Sequence, residues 1–421
     1  MLTAIVGINW GDEGKGRMVD LLSRDHHIVV RYQGDHSSEH TIVTKQGRFV
    51  LNLLPAGILR PDVVCVMGNG MAIDPAHLER EIHELYERGI TVTPNNLKIS
   101  DRAPVVLPYH LLGEQYELER RGADARKSCG VSMVYGDKAM NMAIRMGDLL
   151  NPVYLRKRLE QVSAYKTIVM ENVYHQKTVT VDEVVAYATH YGEIFRDYIC
   201  DTGEYLSKAA EMGMDMIFEA PQGALRDVDF GVYPYTCSSS TVAAYATIGA
   251  GVPGLKLDKT IGVLKSFASM VGDGPFVSEL FGEAAEHLME TGNETAEKIT
   301  HIHRIGAFDA VASRYGVRMQ GADELALTKL DTLSYLDKIP VCVAYEIDGV
   351  ITEKFPVGAD LEKAKPVFEY VDGWNMDISE CRTADDLPVP ALTYVKYLEH
   401  LVGCHISYVS VGAERDAYIK L

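Results

Sequence analysis

Residues 1–24, "MLTAIVGINWGDEGKGRMVDLLSR", decide the fold. A short, mostly apolar run (Met1–Trp10) stops at a glycine-rich turn, and a helix-like segment opens behind it. That order predicts strand, turn and helix. The glycines of "GDEGKG" (Gly11–Gly16) let backbone N–H groups turn toward an anion, and a helix N-terminus behind them favours negative charge. Gly11, Glu13, Gly14 and Gly16 would form the cradle, with Lys15 supplying a point charge for a terminal phosphate. The spacing is not Walker A: six residues separate Gly7 from Gly14, and Gly16 stands where Ser or Thr would be. A loop without that hydroxyl holds Mg²⁺ by another group, and Asp12 is the available carboxylate. A plain glycine-rich turn also fits these letters, so the rest of the chain has to discriminate.

Working outward, "HHIVVRYQG" and "DVVCVMGNGM" read as further strands, each stopping at glycine. "DPAHLEREIHELYERG" carries an Asp N-cap, helical periodicity and a closing Gly. "MDMIFEA", "KTIGVLKSF", "IPVCVAYEI" and "HISYVSVG" are later buried-strand candidates. Alternation of such runs with helical segments predicts an α/β fold with a mostly parallel sheet. The segment from Gly113 to Lys208 is richer in helical pattern and is expected to be an insertion in a single domain spanning residues 1–421.

Lys plus Arg number 41 against 59 Asp plus Glu, a formal charge of −18. That balance argues against a nucleic-acid duplex or an anionic membrane as partner, but leaves room for small phosphorylated ligands. Seven dispersed cysteines without a C-x-x-C pair read as reduced thiols, and no stretch approaches the ~18 apolar residues of a membrane span. With no signal-peptide pattern at the N-terminus, a cytoplasmic protein is expected.

Two further stretches carry chemistry. "TKLD" (Thr328–Asp331) ends a strand-like run and matches the N/T-K-x-D pattern that reads guanine. Its Asp accepts from two guanine N–H groups, a pair adenine cannot offer. "QGDHSSEHT" (Gln33–Thr41) sets His36 and His40 among Asp35, Glu39 and serines. Locally it suits a metal site, a catalytic loop or a polar turn, although no third and fourth zinc ligand of sensible spacing joins the pair.

Together these motifs resemble the adenylosuccinate synthetase family along nearly the whole chain. The family's "WGDEGKGK" is "WGDEGKGR" here, and its "RYQGG-x-NAGHT" is "RYQGDHSSEHT". "EAPQGALRDVDFGVYPYTCSSS" (Glu219–Ser240), "VGDGPFVSEL" (Val271–Leu280), "LTKLDTL" and "SVGAER" (Ser410–Arg415) match later family motifs in order. The resemblance implies a large, mostly parallel sheet flanked by helices, related to P-loop NTPases, in a homodimer. It implies GTP, Mg²⁺, a purine-like acceptor and an amino acid as ligands. Asp12 would take the proton from the acceptor's lactam nitrogen and ligate Mg²⁺, with the Glu39 backbone carbonyl as a second ligand. His40 would stabilise charge as the carbonyl oxygen attacks the γ-phosphate, with Lys15 and Gln222 completing the catalytic set. Lys329, Asp331, Ser410 and Gly412 would hold guanine. His36 is read as loop packing.

The substrate positions depart from the family. Its second loop glycine is Asp35, the glycine before the histidine is Glu39, and the asparagine that meets IMP is Ser37. "GTTGRGIGP" becomes "KSCGVSMVY", which leaves Ser128 and Cys129 but no arginine. The arginine that crosses from the partner subunit aligns with Asn141, while Arg145 survives, and the "TSSN" threonine is Cys237. "TTGRRRRTGW" becomes "KITHIHRIGA", placing His301 and His303 at the arginines that grip aspartate, with Lys298 and Arg304 as remaining cations. Histidine cannot make the bidentate fork. Substrate contacts are therefore expected at Gln33, Ser37, Ser128, Cys129, Arg145, Gln222, Cys237, Lys298, His301, His303 and Arg304. These changes point to a GTP-dependent carbon–nitrogen ligase with substrates altered from IMP, aspartate or both. The alternatives are the ordinary adenylosuccinate synthetase reaction and a GTP-binding regulatory protein without catalysis.

Overall fold

The computed structural model describes residues 1–123, 128–292 and 303–421. Its centre is a ten-stranded sheet. In chain order the strands are β1 (Leu2–Gly7), β2 (Ile28–Arg31), β3 (Val64–Met67), β4 (Leu97–Ser100) and β5 (Ile199–Cys200). They continue with β6 (Met216–Gly223), β7 (Lys259–Lys265), β8 (Glu324–Thr328), β9 (Ile406–Ser410) and β10 (Tyr418–Lys420). Their spatial order is β10-β9-β8-β7-β1-β6-β2-β3-β4-β5. All neighbours run parallel except the edge strand β10, which is antiparallel to β9.

The apolar runs are continuous because the sheet is buried on both faces. Side chains alternate, so Ile5, Val29 and Ile217 enter one core, while Ala4, Val6, Val30 and Phe218 enter another. β1 lies at the centre because its neighbours on both sides, β6 and β7, come from much later in the chain. β2 to β5 then spread to one side and β7 to β10 to the other. This is the reversal in strand order at which α/β sheets place ligands, outside the carboxyl ends of the strands.

The helix read from "DPAHLEREIHELYERG" spans Pro75–Glu87, and Asp74 Oδ1 accepts from the His77 N–H at 3.1 Å as its cap. The stretch from Gly113 to Lys208 is largely helical, with Val131–Ala139, Pro152–Asn172 and Val181–Ile194 as its main elements. The exception is the short strand β5 at the edge of the central sheet.

One strand assignment needs correcting. "IPVCVAYEI" is a strand (Lys338–Ile347), but it lies in a separate four-stranded sheet. There it pairs antiparallel with Val350–Thr352 and Lys365–Asp372, and parallel with Phe308–Asp309. A buried apolar run identifies a strand but carries no information about its partner.

Candidate active site

The loop after β1 turns sharply: Gly11, Asp12 and Gly14 have φ of 104°, 58° and 89°. The helix Lys15–Leu22 begins directly behind Gly14. Glu13 folds beneath the turn, accepting from the backbone N–H of Asn9 (3.0 Å) and Gly11 (2.9 Å) and pairing with Lys15. Burial alone would raise the Glu13 pKa; Lys15 and these N–H donors outweigh it and leave the carboxyl below its usual range. Glu13 and Lys15 are both buried, whereas Asp12 stands exposed at the tip. From the other side, Thr328 at the end of β8 donates its hydroxyl to the Glu13 carbonyl at 2.7 Å.

His40 opens the hairpin His40–Thr44/Gly47–Leu51, which packs against this helix. The approach is tight. A Cβ on Gly16 would stand 2.5 Å from the His40 Cβ, so only glycine fits. On the other side of the ring, Nδ1 meets Glu219 Oε1, while Glu219 Oε2 accepts from the Ala56 N–H at 2.8 Å. Glu219 sits on β6 and is fully buried. Burial pulls the imidazole pKa below its usual value and outweighs the pull of Glu219. His40 Nε2 is buried and has no hydrogen-bond partner. With Nδ1 anchored, Nε2 is the nitrogen left for chemistry. Gln222, the penultimate residue of β6, brings Oε1 to within 3.5 Å of a Cβ built on Gly11.

The residues expected to read guanine lie at the ends of β8 and β9. Asp331 Oδ1 is buried without a partner, and burial raises its pKa. Lys329 adopts φ 59° and donates to the Gly292 carbonyl at 2.6 Å. Ser410 and Gly412 both meet Arg17, whose Nη1 bonds the Ser410 hydroxyl at 2.7 Å and also meets the Gly412 carbonyl. Sequence reasoning missed both Arg17 and Glu219 as site residues. Arg17 directly follows the phosphate loop, and Glu219 opens a matched motif, so each had a local signal; the contacts that give them roles span 393 and 179 residues.

The remaining candidates surround the loop after β2. Gln33 Oε1 accepts from the Ser239 hydroxyl at 2.7 Å, and the Cys237 thiol lies 3.3 Å from the Ser239 carbonyl. Ser37 turns its hydroxyl onto Asp35 Oδ1 at 2.7 Å. Ser128 donates to the Leu111 carbonyl (2.8 Å), and the Cys129 N–H is taken by Glu114 (2.6 Å). Arg145 is exposed, and Asn141 has a left-handed φ of 62°. His36 is half-buried, stacked on His77 at 4.6 Å and 3.6 Å from Asp74, in keeping with loop packing.

Arg304, expected as a remaining substrate cation, is engaged within the protein. It bonds Glu279 with two nitrogens and the Gly274 carbonyl with a third (2.6 Å), so its fork is already filled. His303 lies beside it on the strand His303–Gly306. Lys298 and His301 fall outside the described residues.

Mg²⁺ suits the donors present. It favours one or two carboxylates completed by substrate phosphate and water over an all-protein cage. Asp12 is such a carboxylate at the mouth of the anion cradle, with Glu39 beside His40. Among the described residues, no group of three His, Cys, Asp or Glu side chains could form a cage.

Comparison with known proteins agrees along the whole chain. The model of the family described as adenylosuccinate synthetase matches residues 4–419. The adenylosuccinate synthetase of Caldanaerobacter subterraneus is 41% identical, covering 100% of this chain and 99% of the relative. That of Nostoc punctiforme is 42% identical, over 99% of this chain and 93% of its own. The structure of fully ligated adenylosuccinate synthetase from Plasmodium falciparum superposes with a TM-score of 0.90 at 29% identity, covering 100% and 99% of the two chains.

Proposed function

Since this chain belongs to the adenylosuccinate synthetase family, we propose that it joins L-aspartate to IMP at the expense of GTP. Members of the family are GTP-dependent ligases that form carbon–nitrogen bonds and use Mg²⁺. The substrate pair is our inference from whole-length similarity to enzymes of that name. It replaces the altered-substrate expectation as the first reading.

In this reading the backbone cradle and Lys15 hold the phosphates, and Asp331 selects guanine. Bound Mg²⁺ would supply charge neutralisation between phosphate oxygens, held by Asp12 and the Glu39 carbonyl. Asp12 takes the lactam proton, which raises the nucleophilicity of the acceptor's carbonyl oxygen. His40 Nε2 faces the charge that develops as that oxygen attacks the γ-phosphate, and Glu219 keeps the ring in place and favours its cationic form. The amine then displaces phosphate from the activated carbon. The observation that carries this reading is the His40 ring, clamped between Glu219 and the first turn after the phosphate loop.

The test is purified protein with Mg²⁺, GTP, IMP and aspartate, followed for GDP and adenylosuccinate together. Matched formation of both supports the reading, whereas GTP binding without adenylosuccinate refutes it. A second reading, in which the acceptor or amine differs, is favoured by one observation: Arg304, a cation left in the rewritten loop, is bound to Glu279. GDP release with another lactam or amine, but not with IMP and aspartate, would select it. We also infer a cytoplasmic homodimer. All seven cysteines are free, and among the described residues no helix is long and apolar enough to cross a membrane.

A further inference from the structure

Arg226 carries a positive charge that the proposed reaction leaves without a role. It ends the short turn Ala224–Arg226, directly behind β6. The Leu225 N–H donates to the Asn9 carbonyl at 2.9 Å, which fixes the turn against the start of the loop after β1. The Cys237 N–H donates to the Arg226 carbonyl at 2.8 Å. The half-buried guanidinium donates from Nη1 to the Tyr235 carbonyl (2.7 Å) and from Nη2 to the Val271 carbonyl. Among the described residues no carboxylate forms an ion pair with it. Backbone carbonyls hold the group in place but supply no countercharge, and a charge withdrawn from water is stable only when an opposite charge meets it.

The surroundings place this cation where the two substrates would meet. Burial pulls its pKa below the usual value; Cys237, Asp12 and Asp273 act against that, and Arg304 acts with it. The Val271 carbonyl that it holds ends the strand Ala268–Val271, which pairs antiparallel with His303–Gly306. In that pairing Val271 lies opposite His303, and Met270 opposite Arg304. Arg226 thus has the charge of Asp12 on one side and, on the other, a histidine at a position expected to grip aspartate. Arg304 holds the Gly274 carbonyl at the far end of the same turn, but its other nitrogens are filled by Glu279. Arg226 still has Nε and a second hydrogen on each amino nitrogen to offer.

We propose that Arg226 is a specificity-determining residue that binds one carboxylate of the amine donor, supplying the guanidinium contact that histidine cannot make. This rests on the proposed function only in taking a dicarboxylic amino acid as the donor. A carboxylate accepts charge-assisted bonds from Nε and an amino nitrogen and provides the missing countercharge. The group is already held by Tyr235 and Val271, so little side-chain freedom is lost when the ligand arrives.

The test is equilibrium binding, by calorimetry, of L-aspartate, L-asparagine and L-isoasparagine to wild type, Arg226→Gln and Arg226→Lys, each loaded with Mg²⁺, GDP and IMP. Asparagine neutralises the side-chain carboxylate, and isoasparagine the one on the α-carbon. Loss of the carboxylate that Arg226 reads is expected to weaken wild-type binding about tenfold or more, and to change binding by Arg226→Gln less than about twofold. Arg226→Lys keeps the charge without the fork and should fall between the two, with GDP affinity unchanged in both variants. Equal losses in wild type and variants, or no wild-type binding of any of the three amino acids, would overturn the proposal. So would slower GDP release at saturating aspartate with the discrimination intact, which would assign Arg226 to the phosphoryl group. The reaction assay separates the two claims. Adenylosuccinate formed while the variants discriminate as wild type does sinks Arg226 alone, and Arg226-dependent discrimination without adenylosuccinate sinks the ordinary reaction alone.

Discussion

In the proposed reaction His40 depends on Glu219, which removes its freedom. The buried carboxylate takes Nδ1 and uses its other oxygen on the Ala56 N–H, so neither group can rotate without stranding a buried polar atom. Glu219→Gln keeps an acceptor but loses the charge. It is expected to lower kcat by about ten- to a hundredfold with little change in KM for GTP, as measured by steady-state kinetics. Asp331→Asn should lower kcat/KM for GTP at least about a hundredfold and favour XTP, because an amide N–H₂ pairs with a carbonyl where guanine carries an amino group. Unchanged preference in a competition assay would remove Asp331 from the guanine site.

Asp309 makes a stability prediction with a defined sign. It caps the helix Ala310–Gln320 through the Ala312 N–H (2.9 Å) and accepts from the Tyr345 hydroxyl (2.7 Å). Burial nevertheless raises its pKa from 3.8 to about 6. The folded state thus holds the proton more tightly than the unfolded chain, and the benefit is complete below the unfolded pKa. It is lost as pH rises through the folded value, in total about 3 kcal/mol. Urea unfolding of wild type minus Asp309→Asn should show this decline between about pH 4 and 6. A flat difference would mean that the carboxyl titrates normally.

At the scale of elements, the helix Ala310–Gln320 lies so close to the end of β1 that a Cβ on Gly316 would stand 1.9 Å from the Ile8 carbonyl oxygen. Gly316→Ala must separate helix from sheet, and a loss of about 3 kcal/mol or more is expected from the urea midpoint. The central strands, the capped helix and the phosphate loop were legible because each has a local cause: two-faced burial, an Asp cap, or glycines in a turn. Lys338–Ile347 was legible as a strand but not as a member of a second sheet, since its partners Val350–Thr352 and Lys365–Asp372 are chosen by tertiary packing. Arg304 reads as a free guanidinium until Glu279 is seen across the fold.

Over the whole molecule, a formal charge of −18 is compatible with the proposed anion cradle because backbone N–H groups and one lysine would act locally. The proposed homodimer has a candidate surface in the helix Pro152–Asn172, where Val153 and Ile168 are 84% and 60% exposed. Replacing both with Asp should shift sedimentation from dimer toward the 46.6 kDa protomer if that face packs on a second copy.

The sequence alone determined the α/β class, the glycine-rich turn after the first strand and the family, because these depend on residue type at short spacing or on motifs in order. Only the tertiary structure decided that Glu219 anchors His40, that Arg17 occupies the Ser410–Gly412 loop and that Arg304 is already paired. The physical reason is that a hydrogen bond or a burial cost belongs to a pair of atoms in space. Residues brought together by a parallel sheet come from distant parts of the chain, and local sequence does not state which of them will meet.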